Sequence, residues 1–265
     1  MNQETIIRLG AYAGVFALMA ALEALAPKRR LRTPKGARWL SNISVTFLGA
    51  ALVRLAFPFT AVAFAAMTEA RGWGLFNVVP ISPLLETVLA VVALDLVIYG
   101  QHVLFHRQSL LWRLHMMHHA DLDIDVTTGA RFHPLEILLS MAIKLCAIAA
   151  IGPAPGAVVA FEVILNAMAM FNHSNFALPL TLDRIARVLL VTPDMHRVHH
   201  SVIIREMNSN YGFNLSLWGR LFRTYRPQPL KGHDEMAIGL ANYRDPGRLT
   251  LPHLLALPFT AKLLR

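Results

Sequence analysis

Long apolar stretches are the feature of this sequence that most restricts how the chain can fold. Three of them, residues 6–26, 43–67 and 82–106, hold the 20 or so residues that a helix needs to cross the hydrocarbon core of a membrane. Two shorter stretches, residues 135–151 and 157–171, flank a Gly-Pro-Ala-Pro-Gly turn and predict a helical hairpin. Only 15% of the residues are charged, against roughly 25% in soluble domains. We expect an all-α integral membrane protein with about three spans plus a short helical hairpin.

A cluster of basic residues directly after the first apolar stretch predicts how the chain is oriented. Its members are Lys28, Arg29, Arg30, Arg32, Lys35 and Arg38, with no acidic residue among them. Such a cluster is typical of a cytoplasmic anchor attracted to anionic lipid. Counting spans from it places every histidine near the cytoplasmic face and makes residues 174–265 a histidine-rich cytoplasmic cap. A net charge of +9 is also compatible with a nucleic-acid surface, but no soluble domain is visible in the sequence to carry one, so no nucleic-acid partner is expected.

The spacing of the histidines predicts a metal site. His102 and His106 lie four residues apart, and the triplet at 115, 118 and 119 is repeated in spacing by the triplet at 196, 199 and 200. On helices, each set lies on one face. Eight imidazoles cannot gather near one point unless bound cations compensate for their desolvation, and a zinc ion takes only four ligands, so two metal ions are expected. The residue type alone does not choose among zinc, copper, iron and nickel.

These motifs resemble those of the fatty acid hydroxylase and sterol desaturase superfamily, which are membrane-bound, histidine-rich diiron oxygenases. The resemblance covers about residues 85–226 and includes sequences around the three histidine motifs. They are Asp95-x-x-x-Tyr99, Arg131-Phe-His133-Pro134-x-Glu136, Asn172-His173-Ser174-Asn175, Asn210-Tyr211-Gly212 and Trp218-Gly219-Arg220-Leu221-Phe222. Residues 1–265 would then form a single membrane domain, with N-terminal spans and a basic loop (1–81), a catalytic region (82–226) and a C-terminal tail (227–265).

The resemblance implies ten metal ligands and several residues that orient them. The implied ligands are His102, His106, His115, His118, His119, His133, His173, His196, His199 and His200. His133 is either a ligand or an orienting residue, whereas His233 and His253 lie outside every motif. Candidate orienting residues are Asp95, Tyr99, Glu136 and Asp194, since a metal-bound histidine normally donates its other N–H to a carboxylate or carbonyl. Asp121, Asp123 and Asp125 are also near the motifs and could serve in the same way. For all of these acidic residues other than Asp95, the alternative interpretation is a solvated loop.

The resemblance also implies the reaction. Two iron ions would use O₂ to hydroxylate a C–H bond of a lipid, fatty acyl or sterol-like, and zinc can replace iron in purified protein. The electrons would come from an external donor protein, because a single cysteine, Cys146, cannot hold an iron–sulfur cluster. Two alternatives stay open: a lipid desaturase of the same family, and a non-catalytic metal-binding membrane protein or transporter. The expected location is a bacterial inner membrane or its equivalent, with the active site on the cytoplasmic face.

Overall fold

Every regular element in the computed structural model, which describes residues 3–261, is a helix. The α-helices are α1 (Gln3–Leu25), α2 (Lys35–Ala56), α3 (Ala61–Ala70), α4 (Pro83–Arg107), α5 (Ser109–His119), α6 (Pro134–Ile151), α7 (Pro155–Asn172), α8 (Leu180–Ala186), α9 (Pro193–His199), α10 (Ile204–Met207), α11 (Leu217–Leu221), α12 (Gly232–Glu235) and α13 (Leu251–Thr260). Within the described residues, β-structure is confined to isolated bridges. The predicted all-α fold is therefore confirmed.

Within residues 3–261, five segments are long and apolar enough to cross a membrane: α1, the segment from Lys35 to Ala70, α4, α6 and α7. Large apolar side chains on their outer faces, such as Leu40, Phe47 and Leu55, are exposed. A continuous exposed apolar surface of this kind is unfavourable in water and is satisfied by lipid. The chain is an integral membrane protein, with α6 and α7 as the hairpin.

The second span consists of two helices, where the sequence suggests one kinked helix. Residues 57–60 separate α2 from α3. Pro58 lies in this break and has no backbone N–H to continue a helix. The side chain of Thr60 then accepts a hydrogen bond from the N–H of Ala63 and caps the new helix.

The turn between α6 and α7 packs against the loop before α4 at one end of the bundle. Gly152 has a φ of 70°, and a Cβ there would lie 2.6 Å from the carbonyl oxygen of Trp73. Gly74 in that loop has a φ of 92°, and its Cβ would lie 2.3 Å from the nitrogen of Gly152. Both positions therefore require glycine, because their φ angles are positive and because the two backbone segments approach each other closely.

The opposite end of the bundle joins the basic segment to the segments that carry the histidines. The N–H of Lys28 donates to the carbonyl of Asn175 at 2.7 Å, and its ammonium lies 3.0 Å from Asp194. The N–H of Arg32 donates to the carboxylate of Asp123 at 2.9 Å. The predicted convergence of the basic cluster and the histidines at one end is therefore present in the structure.

Part of the basic cluster serves a different purpose from the expected lipid anchor. The guanidinium of Arg29 donates to the carbonyls of His233 and Met236, and the buried Arg38 lies 2.9 Å from Asp121 and 2.7 Å from Asp125. Arg38 pairs with acidic residues of the loop after α5, and Arg29 binds backbone carbonyls at α12. They therefore fix the N-terminal spans against the rest of the fold.

We predict that the two ends of the bundle lie on opposite sides of the membrane, with the histidine end cytoplasmic. In a Cys146→Ala background, Arg71→Cys and Glu235→Cys each place a thiol at an exposed position, one at each end. A membrane-impermeant maleimide applied to intact cells should label position 71 and not position 235. Labelling of position 235 from outside would overturn the orientation that the basic cluster predicts.

Candidate metal centre

Nine histidines gather at the end of the bundle that holds the basic segment, and they form two groups. In each group, one ring nitrogen of every member lies within 4.8 Å of those of the others. The first group is His102, His106, His115, His119 and His199, and the second is His118, His173, His196 and His200. All are buried except His106, which is partly exposed.

Helical spacing explains how two triplets supply both groups. Residues four apart lie one above the other, so 115 and 119 on α5 stay together in the first group, and 196 and 200 at the end of α9 stay together in the second. The remaining member of each triplet crosses over: His118 joins the second group, and His199 joins the first. The two triplets are therefore reciprocal, and each helps to hold both groups.

Hydrogen bonds fix the orientation of most of these rings. Nδ1–H donates to a backbone carbonyl or a side-chain oxygen, which leaves Nε2 as a lone-pair acceptor. The pairs are His102 with Tyr211 (2.7 Å), His115 with Glu136 (2.7 Å), His173 with Ala169 (2.7 Å), His199 with Ser209 (2.7 Å), His118 with Arg131 (3.2 Å) and His106 with Asn208 (3.2 Å). In six imidazoles, therefore, the lone pair of Nε2 is free to bind a metal.

Within residues 3–261, the inward Nε2 atoms of these fixed rings lie against other ring nitrogens. Nε2 of His102 lies 3.1 Å from Nε2 of His115, and Nε2 of His173 lies 3.1 Å from that of His118 and 3.0 Å from that of His196. The fixed rings turn lone pairs toward one another, an arrangement that only a cation between them makes favourable. Buried ring nitrogens of His106, His119, His196, His199 and His200 also lack hydrogen-bond partners.

Burial keeps the histidines outside the spans neutral, which is the form that binds metal. Desolvation, with the neighbouring imidazoles, lowers the pKa of His199 to about 3 and that of His173 to about 4. The same causes hold the pKa of His118, His119, His196 and His200 well below its usual value. The donor set and its orphaned nitrogens therefore fit two metal ions.

His133 lies outside both groups. It caps the N-terminus of α6, where its Nδ1 accepts from the N–H of Leu135 at 3.2 Å, and its Nε2 lies 3.2 Å from the carbonyl of Leu255. Both ring nitrogens are therefore engaged by the backbone. The structure does not bring this residue to the metal groups, and we leave it out of the ligand set that we propose.

Among the candidate orienting residues, only Glu136 is hydrogen-bonded to one of the nine histidines within residues 3–261. Asp95 accepts from the indole N–H of Trp218 at 2.8 Å and from two backbone N–H groups of the same segment. That segment begins beside Tyr211, whose carbonyl holds His102. Asp95 thus positions His102 indirectly, through this segment.

The other two candidates support loops. The hydroxyl of Tyr99 lies 2.9 Å from that of Thr224. Asp194 pairs with Lys28 and Arg197, close to His233. Neither residue touches the nine histidines through a hydrogen bond in the described part of the chain.

The acidic loop after α5 is buried, so its interpretation as a solvated loop is wrong. Asp121 pairs with Arg38, and the fully buried Arg131 donates to the carbonyl of Met117 at 3.0 Å and to the side chain of Asn42 at 3.1 Å. Burial alone would raise the pKa of Asp121, but the two guanidinium groups hold it below its usual range. The motif around position 131 drew attention to this arginine, whereas its partners on α2 carried no recognisable signal.

A cavity of about 380 Å³ opens among the spans and reaches the first histidine group at His102 and His115. Much of its wall is apolar, with contributions from Ile98, Phe132 and Phe213. The ring of Phe132 stacks on that of His118 with centroids 4.4 Å apart, and Phe213 lies 5.2 Å from His102. The site therefore combines a largely apolar cavity with a cluster of metal-binding side chains.

Known proteins share this combination of sequence motifs. The family model described as fatty acid hydroxylase matches residues 87–224, and this range contains all nine grouped histidines. The ornithine lipid hydroxylase OlsE of Rhizobium tropici is 29% identical over 86% of this chain and 69% of its own length. The alkylglycerol monooxygenases of Xenopus tropicalis and Homo sapiens are 28% and 26% identical over 54% and 63% of this chain.

The chain spans only 31% and 36% of the length of those two monooxygenases. No solved structure matches it. The family match covers more than half of the sequence and all nine grouped histidines, and it shows that this chain belongs to the fatty acid hydroxylase family.

Proposed function

We propose that this protein is a diiron oxygenase that hydroxylates a C–H bond of a membrane lipid, with O₂ as co-substrate. The observation that carries the proposal is the meeting of two groups of inward-facing imidazoles with an apolar cavity among membrane spans. The similarity to lipid hydroxylases supports the reaction class. Hydroxylation is preferred to desaturation because the relatives named above are hydroxylases and monooxygenases.

The two groups of histidines would each hold one iron. The first group would supply up to five nitrogens, and the second would supply four. Together the two bound metals would supply the redox chemistry that activates O₂ for attack on an unactivated C–H bond. Imidazole suits zinc as well as iron, so purified protein can contain zinc without contradicting the proposal.

The residues of the chain would bind, orient and keep the site dry. The apolar cavity wall would hold the lipid chain with one of its carbons beside His102 and His115. Phe132 and Phe213 would exclude water from that end. Glu136 would hold the proton on Nδ1 of His115, so that Nε2 keeps its lone pair for the metal.

The electrons would come from a separate donor protein. Cys146 is the single cysteine of the sequence, so the chain cannot form a four-cysteine iron–sulfur site. Residues 174–265, which include α9, would form the face that a soluble donor protein contacts. We place this face in the cytoplasm, at a bacterial inner membrane or its equivalent.

The direct test compares the lipids of cells with and without the gene, in air and under low oxygen. Mass spectrometry should find a lipid that gains one oxygen atom only when gene and oxygen are both present. A lipid that instead loses two hydrogen atoms would identify a desaturase. Zinc-loaded protein with no O₂-dependent consumption of reductant, even after reconstitution with iron, would favour a non-catalytic metal-binding protein.

Alanine substitution of the grouped histidines should separate ligands from bystanders. We expect His118→Ala, His119→Ala, His199→Ala and His200→Ala each to lower the bound iron and abolish product, because each removes a bond that the others cannot replace. His253→Ala is the matched control, since this side chain is exposed and should cost little. Iron stoichiometry and product formation are measured on the same preparations. Full iron and full activity in the His199 variant would contradict the assignment.

Glu136 and His133 should behave differently from ligands and from each other. Glu136→Ala should weaken metal binding or activity by about 10–100-fold, as typical for loss of an orienting partner, and Glu136→Gln should retain more because it keeps an acceptor for His115. His133→Ala should keep its metal and lose about 1 kcal/mol of stability with the helix cap, which His133→Asn should restore. Metal content and thermal unfolding test both. Loss of metal in His133→Ala would make this residue a ligand after all.

A further inference from the structure

The membrane cavity has a charged wall as well as a reactive end. Arg8 of α1, Lys144 of α6 and Glu162 of α7 all line it, and all three helices are membrane spans. The ammonium of Lys144 lies 2.5 Å from one carboxylate oxygen of Glu162, and the guanidinium of Arg8 lies 2.7 Å from the other. We refer to these three side chains as the charged cluster.

The charged cluster contains two cations and one carboxylate, and the other carboxylate of the cavity wall, Glu136, lies beside His115. Charged side chains inside spans are costly and usually mark a functional site or pathway. One cation and one carboxylate would be enough to join two helices, but here two cations meet one carboxylate. Glu4 also pairs with Arg8, at 2.9 Å, but it is not among the residues that line the cavity. Among the described residues, Glu162 is the hydrogen-bond partner of the Lys144 ammonium, which has three donors.

One face of α6 connects the charged cluster with the histidines. Glu136, Ser140 and Lys144 are spaced four residues apart, and all three line the cavity. Glu136 holds His115, and Ser140 accepts from the amide of Gln101 at 2.7 Å. From position 136 to position 144 the helix rises about 12 Å. The cavity thus runs from a cationic wall to the metal-binding end over a length that suits a hydrocarbon chain.

We propose that the charged cluster binds an anionic group, a carboxylate or a phosphate, of the lipid whose chain reaches His102 and His115. This proposal rests on the proposed function and narrows its substrate to an anionic amphiphile. Free N–H donors of the Lys144 ammonium and the Arg8 guanidinium would make charge-assisted hydrogen bonds with the anion. A cavity of about 380 Å³ lies within the range of small-molecule sites.

A cationic lipid group is a poorer match for this wall. The carboxylate of Glu162 is the acidic group of the cavity wall at this end, and each of its oxygens already faces a cation. A positively charged group would have to displace Arg8 or Lys144 from it. An anion needs no such displacement, because it uses donors that remain free.

The test measures binding without requiring turnover. The probes are the fluorescent fatty acid cis-parinaric acid and its uncharged methyl ester, titrated into metal-loaded full-length protein in detergent. We expect the acid to bind about tenfold or more tightly than the ester, as expected for hydrogen bonds to a charged group. Lys144→Met should remove this preference by weakening the acid alone, and Lys144→Arg should retain it. Lys231→Met, at an exposed position, is the matched control and should change nothing.

Two competitors distinguish the sources of the anion. Palmitic acid supplies a carboxylate and lysophosphatidic acid a phosphate, and the better displacer of the probe identifies the preferred group. Equal binding of acid and ester by the unaltered protein would overturn the proposal. So would a Lys144→Met variant that keeps its metal and loses both probes equally, since the cluster would then only support the fold.

Arg8→Gln provides an independent variant if Lys144→Met fails to fold. It should also reduce the preference for the acid, and an unchanged preference would contradict the role of the cluster. Failure of the proposed function has a different signature. The acid would then bind selectively, but no O₂-dependent product would form from any lipid.

Discussion

Nine imidazoles brought together away from water are the constraint on which the rest of this structure depends. Burial lowers the pKa of His199 to about 3 and that of His173 to about 4, so both are neutral, and inward lone pairs in both groups repel one another without a cation. Metal binding and the folding of this region are therefore thermodynamically coupled. Metal that binds a site formed only in the folded state contributes to stability. The spans and loops supply the frame that brings the ligands together.

That frame is made largely of buried carboxylates, each with a separate task. Glu136 holds a histidine directly, Asp95 holds the segment whose carbonyl positions His102, and Asp121 ties α2 to the loop after α5 through Arg38. A buried carboxylate is tolerated only when it is paired and hydrogen-bonded, so these contacts are costly to break. The chain has few acidic residues, and these three buried carboxylates help to position the elements that carry the histidines.

The membrane gives the site its substrate class. Apolar walls between α2, α4, α6 and α7 enclose the cavity, and one end of it is formed by His102 and His115. Under the proposed function, a lipid chain would occupy this space. The charged cluster would then determine which carbon of the lipid chain lies beside the histidines, because contacts far from a reacting atom can position it.

Local sequence determined the helices, the membrane class and the histidine motifs, because hydropathy over about 20 residues and a spacing of three or four act within a single helix. Tertiary packing decided how the triplets divide, since His118 meets His173 from 55 residues away. It also decided that His133 binds backbone on α6 and α13, where its motif left open whether it is a metal ligand or an orienting residue. Arg8, Lys144 and Glu162 read as isolated charges in three apolar stretches. Only the packing of α1, α6 and α7 joins them, because opposite charges in a membrane interior are stable where helices bring them together.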